Sequence, residues 1–169
     1  VFVVTATVRV VLAIHTVVVS LWFVYPTAKN QAGLLISLAV ILLWTFFVTF
    51  LLRRPTDRNL WVHLADGAVT CSLIFATPLV TAQPYGQTSL AGYWMTGCCL
   101  YAAVLRGTAA GITATLATAM PLLMIPPRVT ISRIDLVLSI LLMSICVGVL
   151  ITQFKHTITE QERARIRSV

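Results

Sequence analysis

The chain has 169 residues, of which 59% are hydrophobic and only 10% are charged, and its mean hydropathy is +0.94. A soluble domain is nearer half apolar and a quarter charged, so this composition indicates an integral membrane protein. The net charge of +7 does not indicate nucleic-acid binding, because the basic residues stand at the ends of apolar runs rather than on one polar face.

Apolar runs of about 20 residues, the length that crosses the hydrocarbon core, predict six helices. They cover approximately residues 3–25, 34–52, 60–80, 93–105, 108–125 and 134–154. The fourth run is short, and Arg106-Gly107 predicts a tight hairpin into the fifth. The predicted fold class is all-α: an integral membrane bundle of about six transmembrane helices at 1–154, whose last helix continues into a cytoplasmic helix at 155–169.

The distribution of positive charge predicts the orientation of this bundle in the plasma membrane. Six crossings put both termini on one side, and nine of the 12 Lys and Arg residues fall there, against three on the other. The nine are Arg9, Arg53, Arg54, Arg58, Arg106, Lys155, Arg163, Arg165 and Arg167, and the three are Lys29, Arg128 and Arg133. Because cytoplasmic loops carry the excess of positive charge, we expect both termini in the cytoplasm.

Asp66 lies inside the third run, where a carboxylate costs on the order of 2.5–3.5 kcal/mol near the bilayer centre. Arg9 and Arg106 are expected towards the same side of the membrane, so either is a candidate partner. One interpretation is a polar lock whose making and breaking distinguishes two packings of the bundle; the alternative is a static ion pair that fixes helix order. His63, one turn before Asp66, is a candidate pH-sensitive group or an interfacial histidine beside Trp61.

Catalytic chemistry has no candidate residues in this sequence. It contains no glycine-rich phosphate loop and no Ser/His/Asp or Cys/His set in a supportive context. The four cysteines lie in apolar runs without metal-ligand spacing to histidine, so we interpret them as small buried hydrophobes. We therefore expect no metal, no cofactor and no catalytic residue within these 169 residues.

The last apolar run passes directly into a charged tail. No Pro or Gly occurs from Val149 onward, so one continuous helix is predicted. Ile151, Phe154 and Ile158 follow the 3-4 spacing of a dimer seam, and Ile166 resumes the apolar pattern after a polar gap. This pattern predicts a short, imperfect coiled-coil linker in a homodimer. A simple basic helix beside the membrane is the alternative.

The tail Glu162-Arg163-Ala164-Arg165-Ile166-Arg167 resembles the E-R-x-R-I/L-x-R lead-in to the phosphoacceptor histidine in sensor histidine kinases of the nitrate and antibiotic-stress type. The upstream chain resembles the membrane domain of actinobacterial MacS-type sensor histidine kinases. The matching segments are Arg9-Val10-Val11, Leu43-Trp44-Thr45, Leu64-Ala65-Asp66, Ala76-Thr77-Pro78-Leu79-Val80 and Gly92-Tyr93-Trp94. The family usually has Leu-Ala after its Arg pair, where this chain has Ile166-Arg167.

This resemblance implies the input domain of a two-component sensor. The bundle would detect an envelope or membrane condition, and a kinase following residue 169 would use ATP and pass phosphate to a cytoplasmic response regulator. The relay helix would include Ile151, Phe154, Ile158, Glu162, Arg163, Arg165 and Ile166. Because the chain opens without Met and stops inside a helical pattern, we expect it to be a piece of a longer protein. A small transporter or channel subunit, or a structural partner of another membrane complex, is the alternative.

Overall fold

The computed structural model describes residues 2–51, 53, 60–81, 90, 94–124 and 131–167, without the side chains of residues 2, 4, 132 and 164–167. Six helices occupy most of these residues: α1 (Phe2–Val19), α2 (Gln31–Leu51), α3 (Leu60–Val80), α4 (Trp94–Arg106), α5 (Thr108–Met124) and α6 (Ile131–Arg167). A π-helical turn at Ser20–Val24 and a 3-10 turn at Tyr25–Thr27 prolong α1. The predicted all-α bundle is confirmed.

Several predictions about the connections concern parts of the chain beyond these ranges. Residues 54–59, 82–89, 91–93 and 125–130, which include much of the predicted loops, lie outside the described residues. The same holds for three basic residues that entered the topology argument: Arg54, Arg58 and Arg128.

The burial pattern of the bundle is that of a protein surrounded by hydrocarbon. Large apolar side chains such as Leu43, Phe46 and Leu79 are more than two-thirds exposed, whereas Arg9 and Asp66 are buried. Most of the other buried polar groups are Ser and Thr hydroxyls, which in membrane helices bond within or between helices. An apolar exterior of this extent would drive association in water, and lipid is the solvent that suits it.

Within the described part of the chain, four stretches are long and apolar enough to cross a membrane: Thr5–Thr27, Gln31–Leu51, Leu60–Val80 and Arg133–Arg163. The remaining two helices are shorter. The 13 residues of α4 and the 17 of α5 span roughly 20 and 26 Å at about 1.5 Å per residue, less than the roughly 30 Å of the hydrocarbon core. The structure thus combines four full-length candidate spans with a hairpin of two short helices, and the orientation of the termini stays a prediction.

Helix α4 is the centre of the bundle. Ten of its 13 residues are buried, and it packs against α1, α3, α5 and α6. It joins α5 through Gly107 alone, which confirms the predicted hairpin. Gly107 has φ +93°, a left-handed conformation that glycine adopts without the steric penalty of a Cβ.

Helices α5 and α6 approach closely where their side chains are smallest. A Cβ built on Gly148 of α6 would lie 2.7 Å from the backbone Cα of Thr108, and one built on Gly111 of α5 would lie 3.3 Å from the Cβ of Ser144. Close by, the hydroxyls of Thr115 and Ser144 lie 3.3 Å apart. Small residues with hydroxyl bonds between them are the usual basis of tight helix association in lipid.

Side chains donate hydrogen bonds to two carbonyls of α5 that have no backbone donor within the helix. Pro121 has no N–H for the Ala117 carbonyl four residues before it, and the Cys71 thiol of α3 lies 3.8 Å from that oxygen as donor. Leu122 lies in the last turn of α5, where carbonyls have no donor within the helix, and Arg133 donates its Nη1 to the Leu122 oxygen at 3.2 Å. In a hydrocarbon environment such carbonyls need a donor from the protein itself.

Two helix starts differ from the sequence-based boundaries. Helix α2 begins at Gln31 rather than near residue 34, because the Asn30 side chain caps it by accepting the Gly33 N–H at 2.9 Å. Helix α6 begins at Ile131 rather than near residue 134. Arg133 was therefore wrongly assigned to an outer loop; it is 7% exposed within α6, where it bonds the end of α5.

The last helix is continuous, as its lack of Pro and Gly after residue 148 predicts. Its 37 residues correspond to about 55 Å at about 1.5 Å per residue. Its buried face includes Leu136, Ile140, Ser144 and Gly148, and every described side chain from Thr152 onwards is exposed. The bundle thus holds one part of this helix while the polar part projects free of it.

Candidate functional site: a buried ion pair and the adjoining cavity

Arg9 of α1 and Asp66 of α3 form a buried ion pair with two parallel hydrogen bonds. Arg9 donates its Nη1 to Asp66 Oδ2 at 2.6 Å, and its Nη2 donates to Asp66 Oδ1. Arg9 is 1% exposed and Asp66 is 2% exposed. A guanidinium fits a carboxylate in this fork geometry, which fixes orientation as well as charge.

Helix α2 supplies a third partner. Trp44 donates its indole Nε1 to Asp66 Oδ1 at 2.8 Å, so this oxygen accepts from two helices. One turn further along α3, the Thr70 hydroxyl bonds to the Asp66 backbone oxygen at 2.8 Å. The carboxylate is therefore held by α1 and α2 together.

Helix α4 closes the site with aromatic rings. The guanidinium carbon of Arg9 lies 5.4 Å from the Trp94 ring centroid and 5.5 Å from that of Tyr101. These cation–π contacts are strongest where water is excluded. Trp94 is itself held by α2, because its Nε1 donates to the Thr45 hydroxyl at 2.8 Å.

The arrangement is an electrically neutral polar centre that joins α1, α2, α3 and α4. Arg9 and Asp66 cancel each other's charge, and Trp44, Trp94 and Tyr101 surround them. Among the described residues no group of three His, Cys, Asp or Glu side chains is placed to hold a metal ion. The chemistry available to the site is making and breaking hydrogen bonds between helices.

The structure leaves Arg106, the other predicted member of the polar lock, out of this pair, and it places the predicted pH-sensitive His63 one turn before Asp66 on α3. Arg106 is exposed at the end of α4, and Asp66 takes its bonds from Arg9 and Trp44. His63 is half-buried on α3, and its Nε2 is buried without a hydrogen-bond partner among the described residues. The switching role of the pair and the pH sensitivity of His63 stay predictions.

The predicted relay residues fall into three groups on α6. Ile151 is half-buried against the bundle, Phe154 and Ile158 are 57% and 40% exposed, and Glu162 and Arg163 are exposed. Arg165 and Ile166 belong to the helix, but their side chains lie outside the described part. The predicted seam therefore starts where α6 leaves the bundle, and its use in a dimer stays a prediction.

A cavity of about 410 Å³ lies beside the ion pair, between α1, α4 and α6. Arg9 lines it from α1, Tyr101 from α4, and Ile151 and Phe154 from α6. The cavity thus places the polar centre and the first relay residues on the walls of the same space.

The indole of Trp44 offers a direct test of this geometry. Trp44→Phe removes the donor to Asp66 while keeping an aromatic ring, so we expect the free energy of unfolding to fall by about 1 kcal/mol, as for other interhelical hydrogen bonds in membranes. Denaturant titration in mixed detergent micelles measures the change. Trp61→Phe is the matched control, because Trp61 is 75% exposed on α3. An equal loss in both variants would contradict the assigned bond.

Comparison with protein-family models, curated proteins and solved structures finds no match to this chain.

Proposed function

We propose that this chain is the membrane-embedded input domain of a two-component sensor histidine kinase. In this proposal the bundle detects a condition of the membrane or envelope and relays it through α6 to a cytoplasmic kinase domain. The kinase binds ATP, and a response regulator receives the phosphate. The observation that carries the proposal is the continuity of α6, which packs on α4 and α5 within the bundle, continues through the exposed polar residues at 159–163 and ends at Arg167.

A continuous helix transmits a rotation or shift of one end to the other because its hydrogen-bond ladder has no flexible break. The inner part of α6 is fixed to the bundle through Ser144 and Gly148. The outer part carries the apolar spacing of Ile151, Phe154 and Ile158. Two packings of the bundle that differ by a few kcal/mol would therefore present this seam differently to a partner helix.

The transporter alternative has less support. The buried carboxylate of Asp66 accepts hydrogen bonds from Arg9 and Trp44. The rings of Trp94 and Tyr101 lie against the Arg9 guanidinium. A translocation site needs polar groups that exchange partners with a substrate or ion. An ion pair covered by aromatic rings suits a structural centre or a two-state contact between helices better.

Insertions that change the helical phase of the relay test the proposed function. Residues 1–161 are joined to a histidine kinase core whose own E-R-x-R lead-in takes the place of residues 162–167, and one, two or seven alanines are inserted after Thr159. Each residue turns an α-helix by about 100°. We expect one or two residues to change autophosphorylation severalfold, and seven residues, close to two full turns, to restore it within about twofold.

Autophosphorylation is measured in membrane vesicles at equal protein level. An insertion of Gly-Gly-Gly at the same place is the control, because it interrupts the helix and is expected to uncouple the kinase from the bundle. Activity that is indifferent to all these insertions would contradict relay through α6.

A further inference from the structure

Helix α1 carries an exposed polar side chain in the middle of an apolar surface. His15 lies ten residues into the candidate span Thr5–Thr27, about 15 Å along a stretch of about 34 Å. Its contacts within the chain leave the side chain exposed. Ionisable side chains at this depth almost always face protein or enclosed water, because hydrocarbon offers them no hydrogen bonds. We therefore expect protein rather than lipid to cover this face of α1.

The residues around His15 have the spacing of a seam between two helices. Four exposed residues of α1, which we call the α1 seam, recur at intervals of 3, 4 and 3: Val8, Val11, His15 and Val18. The three valines are 39%, 57% and 56% exposed. Arg9 and Ala13 belong to the opposite, buried face of the same helix. β-Branched residues at such positions favour pairs of parallel helices, and a single polar residue among them sets the register.

A second copy of this chain is the partner that fits the α1 seam. Copies that insert with the same topology present α1 in the same direction, so a two-fold axis sets His15 of one copy level with His15 of the other. A neutral imidazole has one donor and one acceptor nitrogen, so two imidazoles can bond to each other. An unrelated helix would need a polar group of its own at this depth, whereas a second copy supplies one by symmetry.

The α1 seam adjoins the dimer seam that the sequence predicts on α6. Val8 lines the cavity between α1, α4 and α6 together with Ile151 and Phe154. Val8 and Phe154 are both partly exposed at this place. The two seams therefore lie next to each other on one side of the bundle.

We propose that two copies of this chain associate in the membrane through the α1 seam, with the His15 imidazoles of the two copies bonded to each other across it. The valines pack around this bond and exclude lipid from it. The contact is argued from α1 and does not depend on an attached kinase. Its influence on the neighbouring seam of α6 is the part that rests on the proposed function.

Disulfide crosslinking in liposomes locates the contact. Single cysteines replace Val11, Val18 or Ile36 in the full chain, in which the exposed Cys146 is replaced by serine. We expect Val11→Cys and Val18→Cys to crosslink at least about tenfold faster than Ile36→Cys, because a specific contact raises the effective concentration of the two thiols. Ile36 is the matched control, since it is an aliphatic residue of α2 and 65% exposed.

Substitution of His15 tests the bond between the copies. His15→Leu removes donor and acceptor but leaves a side chain that is stable in lipid, so we expect the fold to be kept. Half-dissociation should then occur at a protein-to-lipid ratio about three- to tenfold higher. His15→Asn keeps a donor and an acceptor and should stay within about twofold of the unchanged chain. Energy transfer between copies with different fluorophores, followed on dilution in lipid, measures the association.

Three results would overturn the α1 contact. The first is a chain that stays monomeric at every protein-to-lipid ratio. The second is equal crosslinking of Val11→Cys, Val18→Cys and Ile36→Cys, as random collisions produce. The third is a dimer that crosslinks through Phe154→Cys alone, because the copies would then meet through α6. Unchanged association of His15→Leu would overturn the bond between the imidazoles.

The outcome for the α1 contact is separate from the outcome for the proposed function. Association is measured on the chain without a kinase. Crosslinking through the α1 seam, together with a kinase fusion that ignores the helix insertions, would contradict the proposed function alone. A fusion that responds to the insertions, together with a monomeric chain, would contradict the α1 contact alone.

Discussion

Asp66→Asn is expected to lower the free energy of unfolding by about 3–5 kcal/mol, because it leaves the Arg9 guanidinium buried without its counter-charge. The amide has nearly the shape of the carboxylate, so little of the effect comes from packing. Reversible denaturant titration in mixed micelles measures the difference. Loss of this magnitude is large for a single substitution, and the mechanism that produces it is the unpaired buried charge.

A second substitution separates the charge from the geometry. Arg9→Met alone is expected to be similarly damaging, because it leaves Asp66 charged and buried. Combining Arg9→Met with Asp66→Asn removes both charges, so the double variant should be more stable than either single variant. Arg106→Met with Asp66→Asn is the matched control, since Arg106 is exposed and should give no recovery. Recovery with Arg106→Met instead would contradict the assigned pairing.

The same variants distinguish a switching pair from a static one in the kinase fusion. If the pair separates two packings of the bundle, Asp66→Asn shifts the population of those packings and changes autophosphorylation at equal protein level. If the pair only fixes helix order, output per folded molecule stays at the level of the unchanged chain. Unchanged stability together with unchanged output would contradict both roles.

The sequence was sufficient to identify the polar centre but not to choose its partner. Asp66 was identifiable because a carboxylate in an apolar run needs compensation, and Arg9 and Arg106 were both expected towards the same side of the membrane. Packing decides between them. Helix α4 ends at Arg106, which puts that side chain on the surface, whereas Arg9 lies two turns inside α1 and faces α3 and α4.

The hydrogen bond from Trp44 to Asp66 was harder to predict from the sequence. Helix α2 is apolar on every side, so the usual contrast between polar and apolar faces is absent. The small polar residues Ser37 and Thr45 do mark its buried side, together with Leu34 and Ile41 at helical spacing. In a membrane helix, hydroxyl positions are thus a better guide to the inner face than hydrophobicity.

The cavity had no sequence signature, because its walls are Val, Leu, Ile and Phe residues like those of any apolar helix. It arises from the way α4 separates α1 from the outer part of α6. The same residues, Ile151 and Phe154, were identified from the sequence for a different reason, their seam-like spacing. These two residues line the cavity at the point where α6 leaves the bundle.

Gly148→Ala is expected to lower the free energy of unfolding by about 1–3 kcal/mol, although alanine is the better helix former. The added methyl group would lie 2.7 Å from the Cα of Thr108, so α5 and α6 would have to separate. Gly67→Ala is the matched control: Gly67 lies inside α3 with no atom within 4 Å of the added Cβ, and it should gain up to about 1 kcal/mol. The same titration in mixed micelles measures both. Because the two substitutions are chemically identical, equal changes would show that close approach of α5 and α6 does not hold the relay helix to the bundle.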